Sequence, residues 1–148
     1  MGEDRQYGDN IWCELEEMGD GVSGKRLVRS PDSDLVCAVW QLEPGAEPGP
    51  FHLHHGTDEY LIVLRGTPTL RTADGERRLA EGEAVPFPRG LAGAHQVRND
   101  TDAPIRVAIF AYHHTPDVIE YLDDGIVIVG GRTTGGDGER LFKRFPPS

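Results

Sequence analysis

The feature that most constrains this chain is the spacing of its helix breakers. Nineteen Gly and eleven Pro are spread through 148 residues, and the longest stretch free of both, Asp32 to Glu43, has twelve residues. Proline removes an amide donor and clashes with the preceding turn, and glycine carries the largest entropic cost in a helix interior. Long helices have nowhere to form. The glycines follow no G-X-Y period, which excludes a collagen-like chain.

The stretches between breakers read as short strands: Arg26 to Arg29, Leu35 to Leu42, Glu59 to Arg65, Thr69 to Thr72, Glu76 to Leu79, Glu83 to Pro86, Ala94 to Asn99, Ile105 to Tyr112 and Ile126 to Val129. Turn signals separate them at the spacing of sandwiches and barrels, the clearest being Asp74-Gly75, which supplies the positive φ angles of a tight hairpin. The expected class is all-β. Glu43 to Pro50 holds three prolines and reads as a stiff loop that aims the strand after it. Gly130 to Gly138 reads as a flexible linker, followed by an apolar segment, Leu141 to Phe145, that docks on the domain or on a second subunit.

The chain length suits one domain, with 37% hydrophobic residues available for a core. We divide it into an N-terminal segment (1–25), a barrel (26–112) and a C-terminal extension (113–148). A formal charge of −10 argues against partners that are polyanions, so neither nucleic acid nor an anionic membrane surface is expected. No apolar stretch approaches the roughly 20 residues of a membrane span, and the first residues lack the apolar core of a signal peptide; a cytoplasmic protein is the expectation. Cys13 and Cys37 are too few and too far from a CxxC pattern for a disulfide framework, so reduced, partly buried thiols are expected.

The chemistry concentrates in the histidines. His52 and His54 stand at i and i+2 after the proline loop, so on a strand both rings project from one face and His55 from the other. Glu59 opens the following strand, and antiparallel pairing brings its carboxylate back over the imidazoles. A second segment, Gly82 to Gly90, turns and leads to His95. Three imidazoles and a carboxylate form a donor set suited to Mn, Fe, Co, Ni, Cu or Zn.

The residues that carry this set also carry a family resemblance. Gly45, His52, His54, Glu59 and Gly66 match the first motif of the cupins, and Gly82, Pro88, Gly90, His95 and Asn99 match the second. Two loop lengths differ from the pattern, between Gly45 and His52 and between Gly90 and His95. The resemblance implies a small antiparallel jelly-roll barrel, a divalent transition metal held by His52, His54, Glu59 and His95, and a homodimer. Thr115 to Tyr121 with Asp123-Asp124-Gly125 is similar to a segment of uncharacterised bacterial cupins, some of them labelled sugar-phosphate isomerases.

The alternative for the four polar residues is a cluster that hydrogen-bonds within itself and binds no metal. His55 and the pair His113-His114 read as surface residues, and Asp58 as a turn residue. If strand parity holds, Leu61, Val63 and Val97 are the inward neighbours, which makes the visible pocket apolar. Glu47, Tyr60, Arg71 and Tyr112 are unplaced candidates for an acid, base or binding group. Absence of GxSxG, HExxH and a phosphate-binding loop removes those chemistries. Two classes remain: a metal-dependent enzyme performing oxygenase or enol chemistry on a small organic molecule, with a sugar-phosphate isomerase as a variant, and a noncatalytic small-molecule binding or sensor module.

Overall fold

A computed structural model describes residues 9–28, 34–132 and 140–147. Among them the chain forms thirteen strands and one 3-10 turn, Leu91–Gly93, and no α-helix. One antiparallel sheet has six strands in the order β1 (Glu16–Gly19), β2 (Val22–Val28), β3 (Leu35–Leu42), β10 (Ile105–His113), β5 (Thr57–Arg65) and β8 (Ala84–Phe87). A second has four, β13 (Arg140–Phe145), β12 (Ile126–Arg132), β11 (Asp117–Tyr121) and β4 (His52–His54), and a third has three, β7 (Gly75–Arg78), β6 (Thr69–Thr72) and β9 (Gln96–Arg98). A single bridge between His52 and His95 joins the two smaller sheets. The result is the all-β class expected from the breaker spacing, with the antiparallel jelly roll that the resemblance implies.

Strand alternation explains the interior. Along β5, Thr57, Leu61 and Val63 are buried while Tyr60 and Arg65 face out. Leu61 and Val63 pack with Val22, Leu42, Leu70, Val97, Ile105 and Val107 in the main core. Burying each such aliphatic side chain stabilises the fold by about 1.5–3 kcal/mol. A smaller cluster on the outer face of the six-stranded sheet packs Leu27, Val39 and Ala108 under Cys13 and Leu15. Arg106 fastens that N-terminal stretch by donating to the Cys13 carbonyl at 2.6 Å. Both cysteines are half-buried and free.

The strands at 35–42 and 69–72 fall where the sequence puts them, most others shift by a residue or two, β2 begins four residues before Arg26, and β1, β4 and β13 are additional. Three differences have physical causes. Gly130, Gly131 and Arg132 continue β12 because β13 pairs along it from Val127 to Arg132, so the linker reading fails there; the rest of that stretch, 133–138, lies outside the described residues. Asp58 belongs to β5, where its carboxylate accepts the Arg89 amide hydrogen at 2.9 Å, and is not a turn residue. The segment 117–121, placed by resemblance alone, is a strand between β4 and β12.

Asn99 shows why the second motif ends on an asparagine. It is fully buried, donates to the carbonyls of Leu42 (2.9 Å) and Ala103 (2.8 Å), and accepts from the Thr101 amide (2.9 Å) and hydroxyl (2.6 Å). Four bonds tie the end of β3 to the turn before β10. Gly93 is equally constrained, because a Cβ there would lie 1.8 Å from the Pro88 carbonyl oxygen.

Candidate metal centre

The six-stranded sheet and the two smaller sheets line a cavity of about 240 Å³, and the predicted donors are among its lining residues. On β4, His52 and His54 share a face while Leu53 packs behind them with Phe51 and Ala94. The backbone bridge to His52 carries His95 to the same place, with bonds of 2.9 and 3.1 Å in the two directions. Its ring stacks flat on Phe87, centroids 3.7 Å apart. Glu59 arrives from β5 in the six-stranded sheet, on the inward parity of Leu61.

Each imidazole is oriented through its Nδ1. That of His52 bonds the Pro50 carbonyl at 2.8 Å, that of His95 the Gly93 carbonyl at 2.8 Å, and that of His54 the Asp117 carboxylate at 2.6 Å. All three partners are acceptors, so in the neutral ring Nδ1 carries the proton and Nε2 a free lone pair. The Nε2 atoms of His54 and His95 stand 3.6 and 3.5 Å from the same oxygen, Oε2 of Glu59. Two donors each about 2.1 Å from a shared ion are separated by roughly 3.0–3.4 Å, and the two pairs lie about 0.1–0.2 Å wider than that range. One ligand atom each from His52, His54 and Glu59 lies within 4.8 Å of the others. His95 flanks this trio, its ring centroid 4.6 Å from that of His52.

The electrostatics keep the ring lone pairs of His52 and His95 available. Burial pushes the His95 pKa down to about 3, helped by the neighbouring charge of His52, and burial likewise lowers His52. Burial acts downward on His54 too, but the Asp117 hydrogen bond and the charges of Glu59 and Asp117 outweigh it, and the net shift is upward. The Glu59 carboxyl is raised by burial. Asp117 is held below the ordinary carboxylate range: burial opposes this, and the bonds from His54, Thr57 and Gly56 overcome it. It accepts from Thr57 Oγ1 at 2.9 Å and from the Gly56 amide at 2.6 Å.

The cupin domain family matches residues 38–112, half of the chain and the stretch that contains all four donors. The chain is a member of the cupin family. No curated protein matches it. Among solved structures it is similar to a cupin-superfamily sugar phosphate isomerase from Silicibacter pomeroyi, with 27% identity, 95% of this chain and 87% of that one covered, and a TM-score of 0.69. A candidate sugar phosphate isomerase from Acidithiobacillus ferrooxidans shares 26% identity over 80% of this chain and 75% of its own, at a TM-score of 0.64. KdgF from a Halomonas species, at 20% identity over 74% of this chain and 94% of its own, with a TM-score of 0.60, shares the fold.

Around the donors this cupin builds apolar walls. Leu61 and Val97 line the cavity as expected, joined by Trp40, Leu42, Val107 and Ile109. Val63 sits in the core instead, fully buried. None of the four unplaced candidates lines the cavity. Tyr60 and Tyr112 face outward, Glu47 accepts from Gln96, and Arg71 is bound twice to Asp123. His55 points away to Glu120 at 2.7 Å, and His113 meets Thr57 at 3.0 Å outside the cavity lining. Asp117 and Tyr121 are the site residues that the sequence reading missed. The segment Asp117-Val118-Ile119-Glu120-Tyr121 does not alternate apolar with polar residues, so periodicity gives no strand signal there.

Proposed function

We propose that this cupin is a metal-dependent enzyme, in which His52, His54, Glu59 and His95 hold one divalent transition ion beside a small, largely apolar organic substrate. The observation that carries this reading is the set of three Nδ1 atoms committed to acceptors, which leaves ring lone pairs beside a carboxylate. A cluster that only hydrogen-bonded within itself would gain by pointing an N–H at Glu59, and these tautomers do the reverse. When bound, such an ion supplies Lewis acidity toward a substrate oxygen and, if redox-active, one-electron chemistry with dioxygen.

The chain supplies the rest. Trp40, Leu42, Val97, Val107 and Ile109 exclude water and hold the apolar body of the substrate. The cavity is smaller than the roughly 300–1,000 Å³ of drug-sized sites, which favours a compact molecule. Similarity to the Silicibacter pomeroyi protein favours a second reading, a sugar-phosphate isomerase. Against it stands the cavity lining, which contains no Lys or Arg among the described residues, in a chain of net charge −10. A phosphate dianion would enter without a counter-charge.

The test is a turnover screen of the Fe(II)-, Mn(II)-, Ni(II)- and Zn(II)-loaded protein against diketones, catechols and sugar phosphates. Turnover of a diketone or catechol supports the proposal. Turnover of sugar phosphates alone overturns the substrate class, and tight ligand binding without turnover by any loaded form overturns catalysis in favour of a binding module.

A further inference from the structure

We propose that Tyr121 is the residue that selects substrate at this site, its phenol donating a hydrogen bond to an oxygen of the molecule held beside the metal ligands. The inference rests on the metal-dependent reading above and adds a recognition group to it. Tyr121 is paired in register with His52, and Ile119 with His54, so β11 presents its inward residues directly alongside the two histidines. The Tyr121 ring stands edge-on to His52, with centroids 6.4 Å apart and planes 76° apart.

Elimination gives the same residue. Apart from the four donors, the lining side chains with polar atoms are Trp40, on β3 of the six-stranded sheet, and Gln96 and Tyr121, which adjoin the histidines. The Gln96 amide is already engaged by Glu47 and the Gly49 carbonyl, each at 3.2 Å. Tyr121 has no hydrogen-bond partner among the described residues, and it is half-buried. A phenol placed at the edge of an apolar pocket with its donor unused is a ready partner for a ligand oxygen.

Its position is also fixed before any ligand arrives. β11 is paired on both sides, by β4 and β12, and the next amide, that of Leu122, donates to the Phe51 carbonyl at 2.9 Å. A donor that need not be ordered on binding loses less of its energy to entropy. The ligand class that follows has one oxygen for the metal side, a second oxygen or an enol for Tyr121, and an apolar body toward Trp40 and Ile109. Catechols and 1,3-diketones have that shape.

The experiment compares wild type with Tyr121→Phe, which keeps the ring and removes only the hydroxyl. Zn(II)-loaded protein is titrated with 4-nitrocatechol, and the apo forms are titrated with Zn(II) alone. The expected result is a loss of about 3- to 10-fold in 4-nitrocatechol affinity, the size of one neutral hydrogen bond, with Zn(II) affinity and urea midpoint unchanged. Equal probe affinity in the two proteins, or loss of probe and Zn(II) affinity together, overturns the role of Tyr121 while the metal site stands. A wild-type protein that takes up no Zn(II) overturns the underlying reading, and this proposal with it.

Discussion

Replacing Asp117 with Asn separates the orienting role of this carboxylate from its contribution to packing. Asp117 accepts three hydrogen bonds, from His54 Nδ1 at 2.6 Å, the Gly56 amide at 2.6 Å and Thr57 Oγ1 at 2.9 Å. Asn has the same shape but only one acceptor oxygen. If that oxygen keeps the Gly56 amide, its NH₂ faces the Nδ1–H of His54, two donors in contact. His54 relieves the clash by moving its proton to Nε2, where it faces Glu59 at 3.6 Å and the lone pair offered to a metal is lost. Exchanging charge-assisted bonds for neutral ones should destabilise the apo protein by about 1–3 kcal/mol. Loss of an outer partner of a metal-ligating histidine typically lowers metal affinity 10–100-fold. Urea unfolding measures the first, competitive Zn(II) titration the second, and histidine ¹⁵N shifts the tautomer. Zn(II) affinity within twofold of wild type, or an unchanged His54 tautomer, would refute the reasoning.

Three further outcomes follow from the same contacts. Gly93→Ala drives a Cβ to 1.8 Å from the Pro88 carbonyl and displaces the carbonyl that holds His95, so it should cost more than about 2 kcal/mol and weaken Zn(II) binding; a urea midpoint equal to wild type would show that the turn yields easily. With the folded pKa of His95 down at about 3, the unfolded chain takes up this proton near 6.5 and the folded chain does not. Its contribution to apo stability is therefore present at neutral pH and declines from about pH 6.5 to pH 3, by up to about 5 kcal/mol. His52 acts in the same direction, while His54, raised, stabilises below about 6.5 and loses that contribution as pH rises through its folded value. Urea midpoints between pH 7 and 4 should fall more steeply in wild type than in His95→Phe, and equal slopes would contradict the assignment. Tyr60 and Phe110 pair across β5 and β10 with both side chains largely exposed, and a homodimer covering them would scatter light as a particle of twice 16.3 kDa at micromolar concentration, where a monomer would refute it.

The all-β class was legible because breaker spacing is local information, as the match at Leu35–Leu42 shows. His52, His54, Glu59 and His95 could be picked out because strand parity and motif spacing act over short distances, and the structure brings them to the lining of one cavity. Asp117 lies 63 residues from the histidine that it orients, and no spacing rule links the two until β11 is paired with β4. Tyr121 was hidden for the same reason, while Tyr60 and Tyr112, nearer the motif strands, proved to be on the outer face. Gly130 and Gly131 misled in the other direction: glycine permits a linker, but the register of β13 along β12 holds them extended. In each case the deciding information is a long-range strand pairing.

The central claim, one divalent ion held by His52, His54, Glu59 and His95, is tested most directly by metal stoichiometry. Wild type and the double variant His52→Ala/His95→Ala, both shown to be folded by circular dichroism, are dialysed against Zn(II) and then against buffer and analysed for bound metal. We predict one ion per chain in the wild type and none in the double variant. Equal metal content in the two proteins, or a wild type that retains none, would contradict the account.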